Sequence, residues 1–360
     1  MENEATLALL EEKHSTSRLI SKRRHKSLPQ WATAWLVLIP ALIFIILFMF
    51  YPILNTFFMA FIQDFSWVTG SGSFTFSNFV NAIIKADQLH RIIPSFGFGN
   101  FAKVLGNDQF VQSIWNTFVL VVIEVPLTII IALLLATFLN SIKALKGLFQ
   151  TIFFLPYVTN TIALGLVFQT LFSSDSGGIM NILLTNLFGI DPINWLDAYA
   201  DVPASRFAQG VVIVVYAIWN GLAFKILVFL SGLATIDKQY SDAAKVDGSS
   251  SFTIWRRITL PLLSPQILYI TITSFIGAFK MYTGVMSVYS GLGGSNRFYF
   301  GGKDGYEWMP VVGWIYSQLD GSGIFYNEPG VAAAGSLVLL GIIMIITVIQ
   351  FAVSSKRVHY

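Results

Sequence analysis

Long apolar segments alternate with polar connections along this chain. Six segments exceed the roughly 20 residues that a helix needs to cross the hydrocarbon core of a membrane. They cover residues 31–60, 113–139, 149–172, 210–233, 265–288 and 331–353. The pattern predicts an all-α, polytopic membrane protein, with a polar tail over residues 1–30 and a six-span domain over residues 31–360.

The composition agrees with this pattern. Hydrophobic side chains make up 55% of the 360 residues and charged ones 11%, whereas soluble domains carry about a quarter charged residues. So few charges cannot cover the surface of an ordinary soluble domain. Cysteine is absent, which excludes disulfide frameworks and sites that use a thiolate as metal ligand or nucleophile.

The distribution of Lys and Arg predicts the orientation of the spans. If the N-terminus is cytoplasmic, the cytoplasmic segments are residues 1–30, 140–148, 234–264 and 354–360. These segments hold 14 Lys and Arg residues, and the longer segments on the other side hold 6. Because cytoplasmic loops carry the excess of positive charge, we expect a multi-pass protein with both termini in the cytoplasm.

The longest internal cytoplasmic segment, residues 234–264, has the pattern of a docking loop. Asp237 to Val246 can form about two and a half helical turns that open with an acidic cap, and Gly248 is suited to end them. The loop also carries three aromatic side chains of a kind enriched at protein interfaces: Tyr240, Phe252 and Trp255. Either the loop docks on a partner or it is an interfacial hairpin that only connects two spans.

Three short motifs in this loop have the spacing of a known signature: Asp242-Ala243-Ala244, Gly248 and Ile258-Thr259-Leu260-Pro261. They resemble the EAA loop of ABC importer permeases, although Asp242 replaces the usual Glu and Ser249 the usual Ala. In that family the loop forms a coupling helix that sits in a groove of the ATP-hydrolysing subunit. The resemblance implies that ATPase coupling depends on Asp242, Ala243, Ala244, Gly248, Ile258, Leu260 and Pro261.

The resemblance extends over roughly residues 35–355 and includes Phe98–Leu105, Phe153–Tyr157 and Asn194–Leu196. The chain is similar to carbohydrate uptake family 1, whose best-known member is the maltose-transporter permease. This implies the six-helix transmembrane domain of a type I ABC importer in the bacterial cytoplasmic (inner) membrane. The implied partners are a second permease subunit, two ABC ATPase subunits and an external solute-binding protein, with a di- or oligosaccharide as substrate and no nucleic acid. Insertions near 83–96 and 291–312 depart from the common pattern.

No Gly-x-x-x-x-Gly-Lys-[Ser/Thr] phosphate loop occurs in the sequence. In ATPases with this motif, the loop holds the phosphates of ATP. We therefore expect a transport subunit with no catalytic residues, no metal site and no cofactor of its own. The resemblance implies that ATP and Mg²⁺ bind to the partner ATPase subunits.

A sugar pathway needs aromatic faces together with amide and hydroxyl groups, because sugars present both apolar CH faces and hydroxyls. The third, fourth and fifth spans supply such residues, and in the family these helices contact the bound sugar. The resemblance implies a pathway lined by Tyr157, Thr161, Trp219, Asn220, Gly221, Ser274 and Met281. The alternative is that these small and polar side chains join helices to one another.

Three charged residues lie inside the predicted spans: Glu124, Lys225 and Lys280. A charge in a membrane is costly, so each is a candidate functional residue. Lys225 lies towards one end of its span, where its side chain can extend to the surface. Glu124 and Lys280 differ in depth by roughly 6 Å at the helical rise, so we predict that they form a salt bridge or, alternatively, face water separately.

Three other functions are less consistent with the sequence. A glycerol-phosphate importer permease would need cationic side chains in its pathway to bind the phosphate. Lys280 is the candidate cation deep in the predicted spans, near the predicted substrate site. An ion-driven secondary transporter would not need the loop at 234–264. An intramembrane enzyme is disfavoured because no catalytic constellation lies within the spans.

Overall fold

The structure is a computed structural model that describes residues 29–62, 97–142, 146–174, 177–197, 204–289, 308–319 and 328–354. Most of the predicted tail (1–30), the insertion near 83–96 and residues 291–307 of the insertion near 291–312 lie outside these residues. The described helices are α1 Gln30–Phe61, α2 Gly99–Leu105, α3 Asp108–Ser141, α4 Lys146–Val158, α5 Thr161–Leu171, α6 Ile179–Phe188, α7 Arg206–Thr235, α8 Lys238–Val246, α9 Ser251–Leu262, α10 Ser264–Phe279, α11 Thr283–Tyr289, α12 Val311–Ser317 and α13 Pro329–Ser354. The all-α prediction is confirmed.

The chain divides into two compact units, residues 1–56 and 57–360. The larger unit is built around α3 and α7, which pack along their length. Ala132 and Ala136 of α3 are fully buried in the same cluster as Ile226 and Phe229 of α7. Small side chains at a helix contact let the two backbones approach closely, which is how helices pack in membranes.

A second cluster joins α12 and α13 to the N-terminal end of α3. The Trp314 ring lies 4.6 Å from the Phe110 ring, centroid to centroid, and both side chains are buried. A β-carbon at Gly335 of α13 would lie 3.0 Å from the Trp314 ring. Glycine at this position therefore makes room for the indole.

Four of the six predicted spans are continuous helices: α1, α3, α7 and α13. These are the described helices that are long and apolar enough to cross a membrane, and a fifth is reached if α9 and α10, bent by 64° at their junction, count as one. The third and fifth predicted spans are each two helices, α4 with α5 and α10 with α11. Each of these two apolar segments therefore contains a break that its length and hydrophobicity do not indicate.

Local hydrogen bonds account for both breaks. The Asn160 side chain accepts hydrogen bonds from the backbone N–H groups of Ile162 and Ala163, at 2.8 and 3.4 Å. It thereby caps α5 and replaces the helical bonds that an unbroken span would make. At the end of α10, the N–H groups of Lys280 and Met281 donate back to residues three positions earlier, each at 3.1 Å, which tightens the last turn.

Beyond the breaks, the short helices α5 and α11 pack against each other. A β-carbon at Gly165 of α5 would collide with the Ser287 side chain of α11. The Tyr216 hydroxyl of α7 donates to the Thr161 carbonyl at 3.2 Å, and its ring fills the space left by Gly284. These contacts join α5, α7 and α11 at one end of the cavity described below.

Two π-helical turns occur just before prolines, Ile46–Phe50 ahead of Pro52 and Trp255–Thr259 ahead of Pro261. Proline has no N–H to give to the carbonyl four residues earlier. The wider turn is a recognised adjustment of a helix to such a local disturbance. The second π-turn lies within the motif that resembles the EAA loop.

Candidate functional site

A cavity of about 540 Å³ lies where the two broken spans face α7. Thr159 and Thr161 border it at the first break, and Lys280, Met281 and Tyr282 border it at the second. Non-helical backbone at membrane depth is tolerated where it lines a cavity rather than lipid. The breaks and the cavity are therefore parts of one arrangement.

The cavity wall combines an aromatic platform with polar groups. The Tyr157 ring stacks on Phe224 with centroids 5.9 Å apart and planes 20° apart. The Thr159 hydroxyl donates to the Leu155 carbonyl at 2.8 Å, so its remaining capacity is to accept. Hydroxyl and amide groups on the wall are those of Tyr157, Thr159, Thr161, Tyr216, Asn220, Thr273, Ser274, Tyr282 and Thr283.

Among these polar groups, those of Asn220 and Ser274 keep their full hydrogen-bonding capacity. Within the described chain, neither the Asn220 amide nor the Ser274 hydroxyl has a hydrogen-bond partner, and both residues are half-buried. An amide offers two donors and an acceptor, and a hydroxyl offers one donor and two lone pairs. The wall can therefore hydrogen-bond a polyhydroxylated solute.

A buried ion pair forms part of the same wall. The Lys225 ammonium lies 3.7 Å from the Glu124 carboxylate, and their side chains are 8% and 7% exposed. The Thr128 hydroxyl is 3.0 Å from the same carboxylate oxygen. A β-carbon at Gly221 would lie 2.7 Å from the lysine Nζ, so glycine leaves room for the ammonium beside the cavity.

The predicted salt bridge between Glu124 and Lys280 was wrong. All three intramembrane charges line the cavity, but Glu124 pairs with Lys225. The two are on α3 and α7, which pack side by side, whereas Lys280 follows the last residue of α10. Depth along a helix leaves open which way each side chain points around the helix axis.

Six of the seven predicted pathway residues line the cavity: Tyr157, Thr161, Asn220, Gly221, Ser274 and Met281. Trp219 is 44% exposed and does not line it. Successive helical residues point about 100° apart. Because Asn220 and Gly221 face the cavity, the Trp219 side chain points away from it.

Phe224, Thr273 and Thr283 are among the lining residues that the sequence pattern did not indicate. Phe224 is four residues after Asn220, so the helical period could have found it. Thr273 is next to Ser274 but donates its hydroxyl to the Tyr269 carbonyl at 2.8 Å. Thr283 begins α11, and only knowledge of the break would have placed it.

The loop over residues 234–264, called the EAA-like loop below, has the predicted helix and turn. Asp237 caps α8 by accepting from the Gln239 N–H at 2.9 Å. Gly248 has φ of 79°, and the Ser249 N–H closes the turn on the Ala244 carbonyl at 2.9 Å. This is the left-handed helix end for which glycine is favoured.

The motif residues of the EAA-like loop differ in exposure. Asp242, Ala243, Gly248 and Pro261 are exposed, and Ala244, Ile258 and Leu260 are half-buried. No residue of α8 is buried, and Val246 is 88% exposed. A short helix with open apolar and acidic positions is suited to a groove on another protein.

Trp255 was expected to be an interface anchor but points into the bundle. Its indole N–H donates to the Thr137 hydroxyl of α3 at 3.2 Å, and its ring packs on the core around α3 and α7. Phe252 stacks on it at 6.0 Å and stays 66% exposed. Trp255 thus connects the EAA-like loop to the helix that carries Glu124.

Comparison with known proteins identifies the family. Residues 124–359, which include the EAA-like loop, match the family described as binding-protein-dependent transport system inner membrane component. The lactose transport system permease protein LacF of Rhizobium radiobacter is 31% identical over 283 residues, which are 78% of this chain and 82% of LacF. The arabinooligosaccharides transport system permease protein AraP of Bacillus subtilis is 28% identical over 330 residues, 90% of this chain and 89% of AraP.

A solved structure has the same fold. A chain of a bacterial ABC transporter involved in import of the acidic polysaccharide alginate superposes with a TM-score of 0.69 at 20% identity, covering 91% of this chain and 96% of that one. This chain belongs to the family of binding-protein-dependent transport system inner membrane components and is a membrane-embedded permease subunit of an ABC importer.

Proposed function

We propose that this subunit forms the pathway by which a carbohydrate, a di- or oligosaccharide, crosses the membrane through alternating access. The observation that carries the proposal is the cavity between the two helix breaks, where unfilled hydrogen-bonding groups of Asn220 and Ser274 lie beside the Tyr157 ring. Sugars offer hydroxyls to such groups and apolar CH faces to an aromatic ring. The names of the lactose and arabinooligosaccharide permeases support the same substrate class.

ATP hydrolysis on two partner ATPase subunits, which bind ATP and Mg²⁺, drives the cycle in this proposal. The exposed helix α8 docks into a groove of the ATPase subunit, with Asp242, Ala243 and Ala244 at the contact. Gly248 sets the turn that follows, and the π-turn before Pro261 leads the chain back into α10. Movement of the ATPase thereby reaches the cavity wall through α10 and through the Trp255 contact with α3.

The remaining partners are a second permease subunit, which completes the pathway, and an external solute-binding protein that delivers the sugar. The charge distribution, 14 Lys and Arg on one side against 6 on the other, supports an orientation with both termini in the cytoplasm, and the family description supports a position in the bacterial inner membrane. An ion-driven secondary transporter would need neither an ATPase nor a binding protein. Family membership argues against that alternative.

Uptake by the complete transporter reconstituted in liposomes tests the proposal. Asn220→Leu and Ser274→Ala each remove a hydrogen-bonding group from the wall. We expect each to lower carbohydrate uptake at least about tenfold, because a sugar hydroxyl is then left without a partner. Thr271→Val is the matched control, because its hydroxyl donates to the Ile267 carbonyl at 2.7 Å and it is outside the cavity wall.

The control should transport at the normal rate. Wild-type uptake of peptides or inorganic ions with no uptake of any carbohydrate would overturn the proposal. So would normal sugar uptake by both cavity variants.

A further inference from the structure

The charges on the cavity wall do not cancel. Three charged side chains line the cavity: Glu124, Lys225 and Lys280. Glu124 and Lys225 neutralise each other across 3.7 Å. Lys280 remains, so the described part of the wall carries one net positive charge.

Lys280 has no counter-ion in the described part of the chain. No carboxylate there lies within 4.0 Å of its ammonium, and its side chain is exposed to the cavity. The backbone gives partial compensation, because Lys280 is the C-cap of α10, and a helix C-terminus carries about half of a negative elementary charge. Roughly half of the positive charge on the Lys280 ammonium therefore remains uncompensated by the described part of the chain.

Such a charge is costly in a membrane protein, and it is kept mainly where it faces a substrate pathway or a water-filled cavity. A surface role does not explain Lys280, because it follows α10 at the break, on the wall shared with Asn220 and Ser274. An ammonium offers three donors and no acceptor. Its preferred partner is an anionic oxygen, to which a hydrogen bond is about twice as strong as one between neutral groups.

We propose that the transported solute is an acidic carbohydrate and that Lys280 is the counter-charge for its anionic group. This inference rests on the proposed carbohydrate pathway and narrows its substrate class. The anionic group is a sugar carboxylate or a phosphate ester, since both present the same charged oxygens to an ammonium. The polar groups of Asn220 and Ser274 then bind the hydroxyls of the same molecule, while the Glu124–Lys225 pair contributes no net charge.

Uptake into liposomes by the complete ATP-driven transporter tests the assignment with four probes. Trigalacturonate carries carboxylates, its methyl ester has the same skeleton without charge, trehalose 6-phosphate carries a phosphate ester, and maltotriose is neutral. We expect uptake of an acidic probe with at least about tenfold preference over the neutral ones, which is the effect of one charge-assisted hydrogen bond. Preference for trigalacturonate over its ester identifies the carboxylate as the recognised group, and preference for trehalose 6-phosphate over maltotriose identifies the phosphate.

Two variants assign that preference to Lys280. Lys280→Met keeps the length and removes the charge, and it should reduce the preference about tenfold or more while leaving assembly with the ATPase subunits intact. Lys280→Arg keeps the charge and should retain most of the preference. Uptake of the acidic probe by Lys280→Met at the normal rate would overturn the inference.

The inference of an acidic substrate can be wrong while the proposed carbohydrate pathway is right. If the transporter carries maltotriose or the methyl ester and rejects both acidic probes, the inference is wrong but the carbohydrate pathway stands. If none of the four probes is carried while a non-carbohydrate solute is, both are wrong.

Discussion

At the scale of single residues, the cavity wall shows how a membrane protein can hold charge in a low-dielectric interior. Glu124 is compensated by the Lys225 ammonium, and the Thr128 hydroxyl lies between the Glu124 backbone carbonyl, at 2.7 Å, and its carboxylate, at 3.0 Å. Gly221 leaves the space that the ammonium occupies. A buried pair of this kind contributes little stability compared with an apolar pair, but loss of one partner leaves an uncompensated charge.

Removal of the lysine charge tests this view. Lys225→Met should lower the free energy of unfolding by about 3–5 kcal/mol, because the Glu124 carboxylate stays buried without its counter-charge. The double variant Glu124→Gln with Lys225→Met should recover most of that loss, because both charges are then absent. Chemical denaturation of the purified protein in mixed micelles measures both values.

Lys280→Met is the matched control, because it removes a cavity charge that has no partner in the described residues. It should change the free energy of unfolding by about 0.5 kcal/mol or less, as exposed substitutions usually do. Equal destabilisation of the single and double variants would contradict the account of the pair.

The pairing also shows what sequence could and could not predict about the site. A charged side chain is costly in a membrane, so the sequence indicated Glu124, Lys225 and Lys280 as functional candidates. All three line the cavity. Their partners depend on rotation about the helix axes and on which helices pack together. Neither is encoded in depth, so Glu124 was assigned to the wrong lysine.

At the scale of the elements, continuous hydrophobicity predicted the spans well but concealed the two breaks. Residues 149–172 are mostly apolar, yet Asn160 lies between two helices and caps the second. A single polar residue hardly changes hydropathy averaged over a span, whereas its side chain can replace two backbone hydrogen bonds. The EAA-like loop was better predicted, because Asp237 and Gly248 are local signals for the start and end of α8.

The Asn160 cap can be tested by substitution. Asn160→Leu should lower the free energy of unfolding by about 1 kcal/mol, the usual value of an N-cap, and should shift the boundary of α5. Asn160→Ser keeps a capping oxygen and should behave nearly as the wild type. Denaturation in micelles gives the stability, and an equal effect of the two substitutions would show that the cap does not hold the break.

Gly248 governs how the EAA-like loop leaves α8. Its φ of 79° is strained for a residue with a β-carbon by roughly 1–2 kcal/mol, and nothing lies within 4 Å of the place a β-carbon would take. Gly248→Val should therefore alter the turn without a clash. We expect it to abolish coupling between ATP hydrolysis and uptake while membrane insertion stays normal.

Asn tolerates the left-handed conformation better than other residues with a side chain, so Gly248→Asn should keep most of the coupling. The ratio of solute transported to ATP hydrolysed, measured in liposomes, compares the two variants. A wild-type ratio of solute transported to ATP hydrolysed in Gly248→Val would show that coupling does not depend on the turn at Gly248.

At the scale of the whole molecule, the proposal requires that the EAA-like loop and α6 lie on opposite sides of the membrane. The chain contains no cysteine, so single introduced cysteines report position without background. Phe252 and Asn186 are exposed, and neither takes part in the cavity wall. Phe252→Cys should react with a membrane-impermeant maleimide only in inverted vesicles, and Asn186→Cys only in intact cells.

The same reagent follows the alternation of access. Ser274→Cys at the cavity wall should be labelled from one side before ATP is added and from the other side, or from neither, when a non-hydrolysable nucleotide holds the ATPase subunits closed. Ala136→Cys is fully buried between α3 and α7 and should stay unlabelled throughout, because that contact does not open in the proposed cycle. Labelling of Ser274→Cys that is independent of nucleotide would mean that the cavity is not the alternating compartment.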